Sequence, residues 1–274
     1  PAGAYVLGLT GPGGQESVPP LHRFRRPPRL WLVLAGGLLI LMGAFLAGRL
    51  LTPRAPGANA IWAPFLRSDR PILVVVGDYY IYGEIDPVRP EEGRLIRDFR
   101  VNSPTDLLSM QEAAPLRYGN AEDVGLSYLP VSSAYALSAL MPVLARHPEP
   151  VRVMPASELT VEATQRYNIV YIGLLSGMRL LQDVTFSGST FAIGESYDEL
   201  IDGRGDRRYV SEEARNLPSP AYYRDYGYVA SFHAPGGALV AVVAAARDTG
   251  LRGIAPLVAR EDLADRLAQV VDSP

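Results

Sequence analysis

Residues 72–84 read ILVVVGDYYIYGE. The first five are uniformly apolar. A strand exposed on one face would alternate apolar with polar residues, so this run predicts a short strand buried on both faces. Such a strand belongs in a sheet covered by helices on each side. The run then meets an acid, Asp78, and three tyrosines, Tyr79, Tyr80 and Tyr82. Three roles are open to Asp78: catalytic acid, ligand contact, or plain strand end.

The same kind of run recurs outward from there. VRVM (151–154), NIVYIG (168–173) and STFAIG (189–194) predict further strands. Between them, SPTDLLSMQEAA (103–114) opens on Ser-Pro, a good helix start. SSAYALSALMPVLAR (132–146) predicts a helix capped by Ser132 or Ser133 and bent at Pro142. ASELTVEATQRY (156–167) and LLSGMRLLQ (174–182) predict two more helices. Residues 195–225 are rich in charge, Gly, Pro and Tyr, and predict an irregular excursion. YGYVASFHA (226–234) and ALVAVVAAA (238–246) flank Pro-Gly-Gly as a β-hairpin. TGLRGIAPLVA and EDLADRLAQVV close the chain as helices. The alternation predicts an α/β fold, a three-layer sandwich with a mostly parallel sheet and a C-terminal β-hairpin.

In open α/β sheets, ligands bind beyond the carboxyl ends of the strands. Those ends carry GDYY (77–80), GLLSG (173–177) and ARDTG (246–250). Converging in one crevice, they would offer Asp78 and Asp248 as acceptors, Tyr79 and Tyr80 as walls, and Ser176 and Thr249 as donors. The competing reading is structural: Asp and Gly terminate strands and cap the helices that follow. Asp248-Thr249-Gly250 in particular suits a helix N-cap.

Several chemistries lack their residues. The 274 residues include no cysteine and no lysine, so thiolate chemistry and a P-loop lysine are excluded. The three histidines, His22, His147 and His233, lie far apart in sequence and accompany no G-x-S-x-G elbow. Neither a hydrolase triad nor a histidine zinc site is expected, and no catalytic residue, metal or cofactor is assigned. Glu84/Asp86, Glu91/Glu92, Glu122/Asp123 and Glu212/Glu213 are loop neighbours, which fits solvated charge better than a glycosidase pair. The net charge of −3 gives no reason to expect nucleic-acid binding by this segment. AYYRDYGYV (221–229) holds four tyrosines and suits either a binding surface or an aromatic edge strand.

Residues 30–51, LWLVLAGGLLILMGAFLAGRLL, carry one charge, Arg49, near their far end. At 1.5 Å per residue they span roughly 33 Å, enough to cross a hydrocarbon core. HRFRRPPR (22–29) precedes them with four arginines, and arginines are sparser after them, so the N-terminal side is expected in the cytoplasm. The layout is then a cytoplasmic linker or tail (1–29), a transmembrane helix (30–51), a short linker (52–60) and an extracytoplasmic α/β domain (61–274). In a bacterium that places the protein in the inner membrane with its C-terminal domain in the periplasm. Gly43, Ala44, Ala47 and Gly48 form small-xxx-small pairs that permit homodimer packing of the helix. The chain opens at Pro1 instead of Met, and an upstream domain is expected.

HRFRRPPR, the apolar segment and the C-terminal globular region, with GAYVL (3–7) as a possible wing-hairpin end, resemble the membrane-spanning one-component regulators of ToxR or CadC type. The resemblance implies a DNA-binding winged helix-turn-helix ahead of Pro1, so DNA would be contacted only through that missing domain. Residues 61–274 would be a non-enzymatic sensor for a small-molecule or protein ligand. The alternatives are an anchored envelope enzyme using Asp78, His233 or Asp248, and an assembly subunit using residues 221–229 as an interface.

Overall fold

The computed structural model describes residues 59–263 apart from 87, 197–198, 206 and 214–222. The apolar segment 30–51, its small-residue pairs and the closing helix from Glu261 lie wholly or largely outside them. Among the described residues no helix is long and apolar enough to cross a membrane.

The fold is mixed α/β. Its main sheet holds five strands: β1 (Ile72–Val76), β5 (Arg152–Pro155), β6 (Asn168–Leu174), β10 (Gly227–His233) and β11 (Leu239–Ala245). Their order is β10-β11-β6-β1-β5, with all pairs parallel except the β10–β11 hairpin. Every residue of β1, β6 and β11 is buried. The largely apolar runs follow from that, because a central strand covered on both faces has no side for polar residues, and the exception, Asn168 at the start of β6, donates to Ser68 and the Arg70 carbonyl. Gly237 closes the hairpin turn with φ 76°, a conformation only glycine adopts without strain.

Alternation divides the sheet's side chains between two cores. Ile72, Val74, Val170, Ile172, Ala241 and Val243 face one side. There they meet helices α1 (Trp62–Arg67), α4 (Val131–Leu144) and α7 (Asp248–Val258). Leu73, Val75, Ile169, Tyr171, Val240 and Val242 face the other. They pack under α5 (Val161–Arg166) and α6 (Leu180–Phe186).

Two small antiparallel sheets were not expected from the sequence. One is ordered β3-β2-β4, from β2 (Tyr79–Glu84), β3 (Arg94–Ile96) and β4 (Ala121–Tyr128). It packs over helices α2 (Pro104–Ala113) and α3 (Pro115–Tyr118) through Tyr80, Tyr82, Leu107 and Tyr118. The other joins β7 (Phe191–Ile193), β8 (Glu199–Asp202) and β9 (Arg207–Val210). The stretch 189–194 therefore pairs outside the main sheet, and part of the expected excursion is ordered strand.

Helix boundaries also differ from expectation. Pro130 is the N-cap of α4, and Ser132 and Ser133 sit inside the helix. The stretch 156–167 divides into a 3-10 turn at Ala156–Glu158 and α5, which Thr160 caps. The stretch 174–182 divides likewise: a 3-10 turn at Leu175–Gly177, then α6. Arg179 breaks it with φ 46°, ψ −123°.

Candidate binding site at the switch point of the sheet

From β1 the chain passes to β5 on one side, then returns past β1 to β6 and β11 on the other. The reversal lies between β1 and β6. Loops leaving the two strands diverge there and open a crevice at their carboxyl ends. Three glycines, Gly77, Gly173 and Gly177, let the strand ends approach. A Cβ on Gly77 would stand 2.3 Å from the Tyr171 hydroxyl, and one on Gly173 would stand 3.0 Å from the Gly77 Cα. The Tyr171 hydroxyl donates to the Leu174 carbonyl at 2.6 Å, inside this junction.

A cavity of about 180 Å³ opens above it, lined by Asp78, Tyr79, Arg97, Phe99, Asn102, Ser176, Arg179 and Gln182. Asp78 is 2% exposed and its Oδ1 accepts from the Ser157 amide at 2.9 Å. That amide belongs to the turn after β5, so one carboxylate ties the end of β1 to the end of β5. The Arg179 Nε lies 3.7 Å from the same oxygen. Tyr79 and Ser176 share a 2.6 Å hydrogen bond between hydroxyls. Burial is the main reason that the Tyr79 phenol is pushed up to about 12. Tyr79 is therefore protonated at neutral pH and a poor base for Ser176.

Arg179 is the only non-glycine residue with positive φ among the described residues. Strain of this kind costs on the order of 1–3 kcal/mol and clusters at ligand sites. Its Nη1 donates to the Asn102 carbonyl at 2.8 Å. The Asn102 side chain in turn accepts from Arg97 Nη2 at 2.7 Å.

Of the six residues expected at a site, three line the cavity: Asp78, Tyr79 and Ser176. Tyr80 follows Tyr79 on a strand, so it points to the opposite face. Its hydroxyl donates to Asp123 at 3.0 Å in a neighbouring recess. Asp248 is the first residue of α7 and serves α4 instead, accepting from the Ser132 amide at 3.3 Å and from its hydroxyl. It thus satisfies a donor that α4 leaves open at its start. The expected N-cap for α7 is not formed, since Arg247 holds that position without a side-chain cap bond. The Thr249 amide donates to Glu213 at 3.0 Å.

Arg97, Asn102, Arg179 and Gln182 were not read from the sequence. Arg97 and Asn102 come from the loop after β3, which only the small sheet brings to the main one. The sole local hint was that Arg179 lies two residues after Gly177, in the segment that carries Ser176.

Both described histidines lie at the other end of the sheet. His233 pairs with Leu239, the first residue of β11, and His147 Nε2 lies 3.0 Å from the Ser68 carbonyl, ahead of β1. A seven-residue strand is roughly 20 Å long, so neither histidine reaches Asp78 or Ser176. Among the described residues no three His, Cys, Asp or Glu side chains cluster as a metal would need. No protein-family model, curated protein or solved structure matches the chain.

Proposed function

We propose that residues 61–274 are a non-enzymatic ligand-binding sensor domain whose ligand enters the cavity beside Asp78, Tyr79 and Ser176. In this reading the domain is a three-layer sandwich on the periplasmic side of a bacterial inner membrane, behind a membrane helix at 30–51. The whole has the layout of a ToxR/CadC-type regulator. The membrane placement draws its support from the apolar run and the arginine cluster before it.

One observation carries the binding reading. The cavity at the switch point gathers polar groups from three chain segments, while both described histidines stand at the far end of the sheet. The groups present suit holding a ligand better than moving a proton: Tyr79 is protonated, and Ser176 is bonded to it.

The test uses the full chain in detergent. Thermal-shift screening against small polar metabolites runs beside turnover assays on esters, phosphoesters and glycosides. A stabilising ligand with no turnover is the expected result. Turnover that Asp78→Ala abolishes in a folded protein overturns the non-enzymatic reading. A cooperative melt that no compound shifts overturns the binding reading.

A further inference from the structure

The cavity is not electrically balanced. Its lining includes two guanidiniums, Arg97 and Arg179, and one carboxylate, Asp78. Asp78 stands against Arg179. Arg97 has no carboxylate within 4.0 Å among the described residues. Neutral groups hold it instead. Its Nη1 donates to the carbonyls of Asp98 at 2.7 Å and Val101 at 2.8 Å, and its Nη2 to Asn102. The rings of Tyr79 and Phe99 lie 5.2 Å and 5.1 Å from its central carbon. These contacts fix the guanidinium without cancelling its charge.

Three of the five N–H groups of Arg97 are engaged in this way. Of the other two, Nε is buried and makes no hydrogen bond, so the second Nη2 hydrogen is the one that can serve an occupant. Asn102 joins the two cations, its side-chain oxygen accepting from Arg97 and its carbonyl from Arg179. Burial lowers the Arg97 guanidinium from its ordinary value, and the nearby Arg179 charge acts in the same direction. With Asp78 against Arg179, the cavity keeps one partly buried positive charge without a carboxylate in contact, which a negative ligand relieves.

We infer that the cavity takes a small oxyanion, a carboxylate or phosphate group, held between Arg97 and Arg179 with the Tyr79–Ser176 hydroxyl pair beside it. A single charge-assisted N–H from each guanidinium suits an oxygen of either group. The volume of about 180 Å³ falls below the roughly 300 Å³ at which drug-sized pockets begin, so the ligand is a compact acid or phosphate ester. This inference rests on the binding reading above.

Calorimetric titration of the full chain in detergent tests it, with sodium phosphate, sodium acetate and, as a neutral probe, glycerol, all at constant ionic strength. Saturable binding of phosphate or acetate is expected, and which of them binds assigns the ligand as phosphoryl or carboxylate. Arg97→Gln and Arg179→Gln should each weaken binding about tenfold or more, as loss of one charge-assisted hydrogen bond does. Arg94→Gln, which removes an arginine paired with Glu84 outside the cavity, should leave the affinity unchanged. Arg97 also ties its own loop, so Arg97→Lys serves as a second variant. It keeps the charge, and a melt near that of the unaltered protein with weaker oxyanion binding separates a ligand contact from a loop support. Oxyanion binding that survives both glutamine variants overturns the inference. So does binding of glycerol without either oxyanion, which leaves the binding reading standing. If none of the three binds, the inference fails, and the wider metabolite screen alone decides the binding reading.

Discussion

Tyr79 and Tyr80 show how much one position along a strand decides. They are adjacent and chemically identical, yet Tyr79 faces the cavity and Ser176 while Tyr80 faces the small core and Asp123. Ser176→Ala and Tyr79→Phe should each cost about 0.5–1.5 kcal/mol, and the double variant less than their sum, because the pair loses one shared bond. Denaturant titration of all three variants checks this; strict additivity would mean the hydroxyls are not coupled. Asp98 makes a different kind of residue-scale prediction. Hydrogen bonds from Arg100, helped by the Tyr118 hydroxyl, hold its carboxyl well below the usual range. A depressed folded pKa contributes stability that is present above the unfolded value and is lost as pH falls through the folded one. The melting temperature should therefore fall as pH drops below about 3.8, the ordinary aspartate value. Asp98→Asn should lower it already at neutral pH, by about 1–3 kcal/mol of stability, and flatten that acid slope. Asp78, Tyr79 and Ser176 were legible because polar residues directly after an apolar strand have few other places to go. Arg97 and Arg179 were not, since nothing local separates a ligand-facing arginine from the other 24 of the 26.

Among the elements, what was legible in the sequence tracks length and burial. The strands β1, β6 and β11, five to seven residues and apolar apart from Asn168 at the start of β6, could be read directly. The strands β3, β8 and β9 have three or four residues each, too few to show a period, while β7 was read as a strand but not as one outside the main sheet. β4 escaped for another reason. It is mostly exposed and carries Glu122, Asp123 and Gly125, so its composition is that of a loop, and only pairing with β2 makes it a strand. The junction of β1 and β6 depends on absent side chains. Gly77→Ala sets a methyl against the Tyr171 hydroxyl, which is pinned to the Leu174 carbonyl and cannot swing away. The expected cost is about 1–3 kcal/mol, typical of overpacking. Chemical denaturation checks it, and Gly188→Ala, where a Cβ meets nothing within 4 Å, is the control. The cavity should suffer along with stability, because Gly77 immediately precedes Asp78. An alanine that leaves both stability and ligand binding unchanged would show that the strand ends separate more easily than their packing implies.

The whole domain is organised around one sheet with a core on each face, so the β1–β6 junction cannot open alone without exposing both cores. Three buried tyrosines turn that into a measurable alkaline limit. Burial pushes the phenols of Tyr79 and Tyr80 up to about 12, and that of Tyr171, fully enclosed, well above its ordinary value. A raised folded pKa means that the folded chain holds its proton more tightly than the unfolded one. The stability this contributes is complete below the unfolded value of 10.0 and is lost as pH rises toward and through the folded one. Tyrosines that solvent reaches in the folded chain should then ionise without structural change. The buried set should ionise only as the domain unfolds, since a phenolate at Tyr171 would be fully enclosed and would face the Leu174 carbonyl. Tyrosine absorbance and far-ultraviolet circular dichroism, followed together from neutral pH upward, should give one early phase in absorbance alone and one late phase common to both. Tyr171→Phe should lower stability at neutral pH by about 0.5–1.5 kcal/mol for the lost hydrogen bond. It should also weaken the alkaline dependence, because one of the protons linked to folding is gone. Ionisation of every tyrosine near 10 with the dichroism unchanged would mean that solvent reaches the junction in the folded state. The cavity above Gly77 would then be an open cleft, too well hydrated for Arg97 and Arg179 to grip an anion tightly.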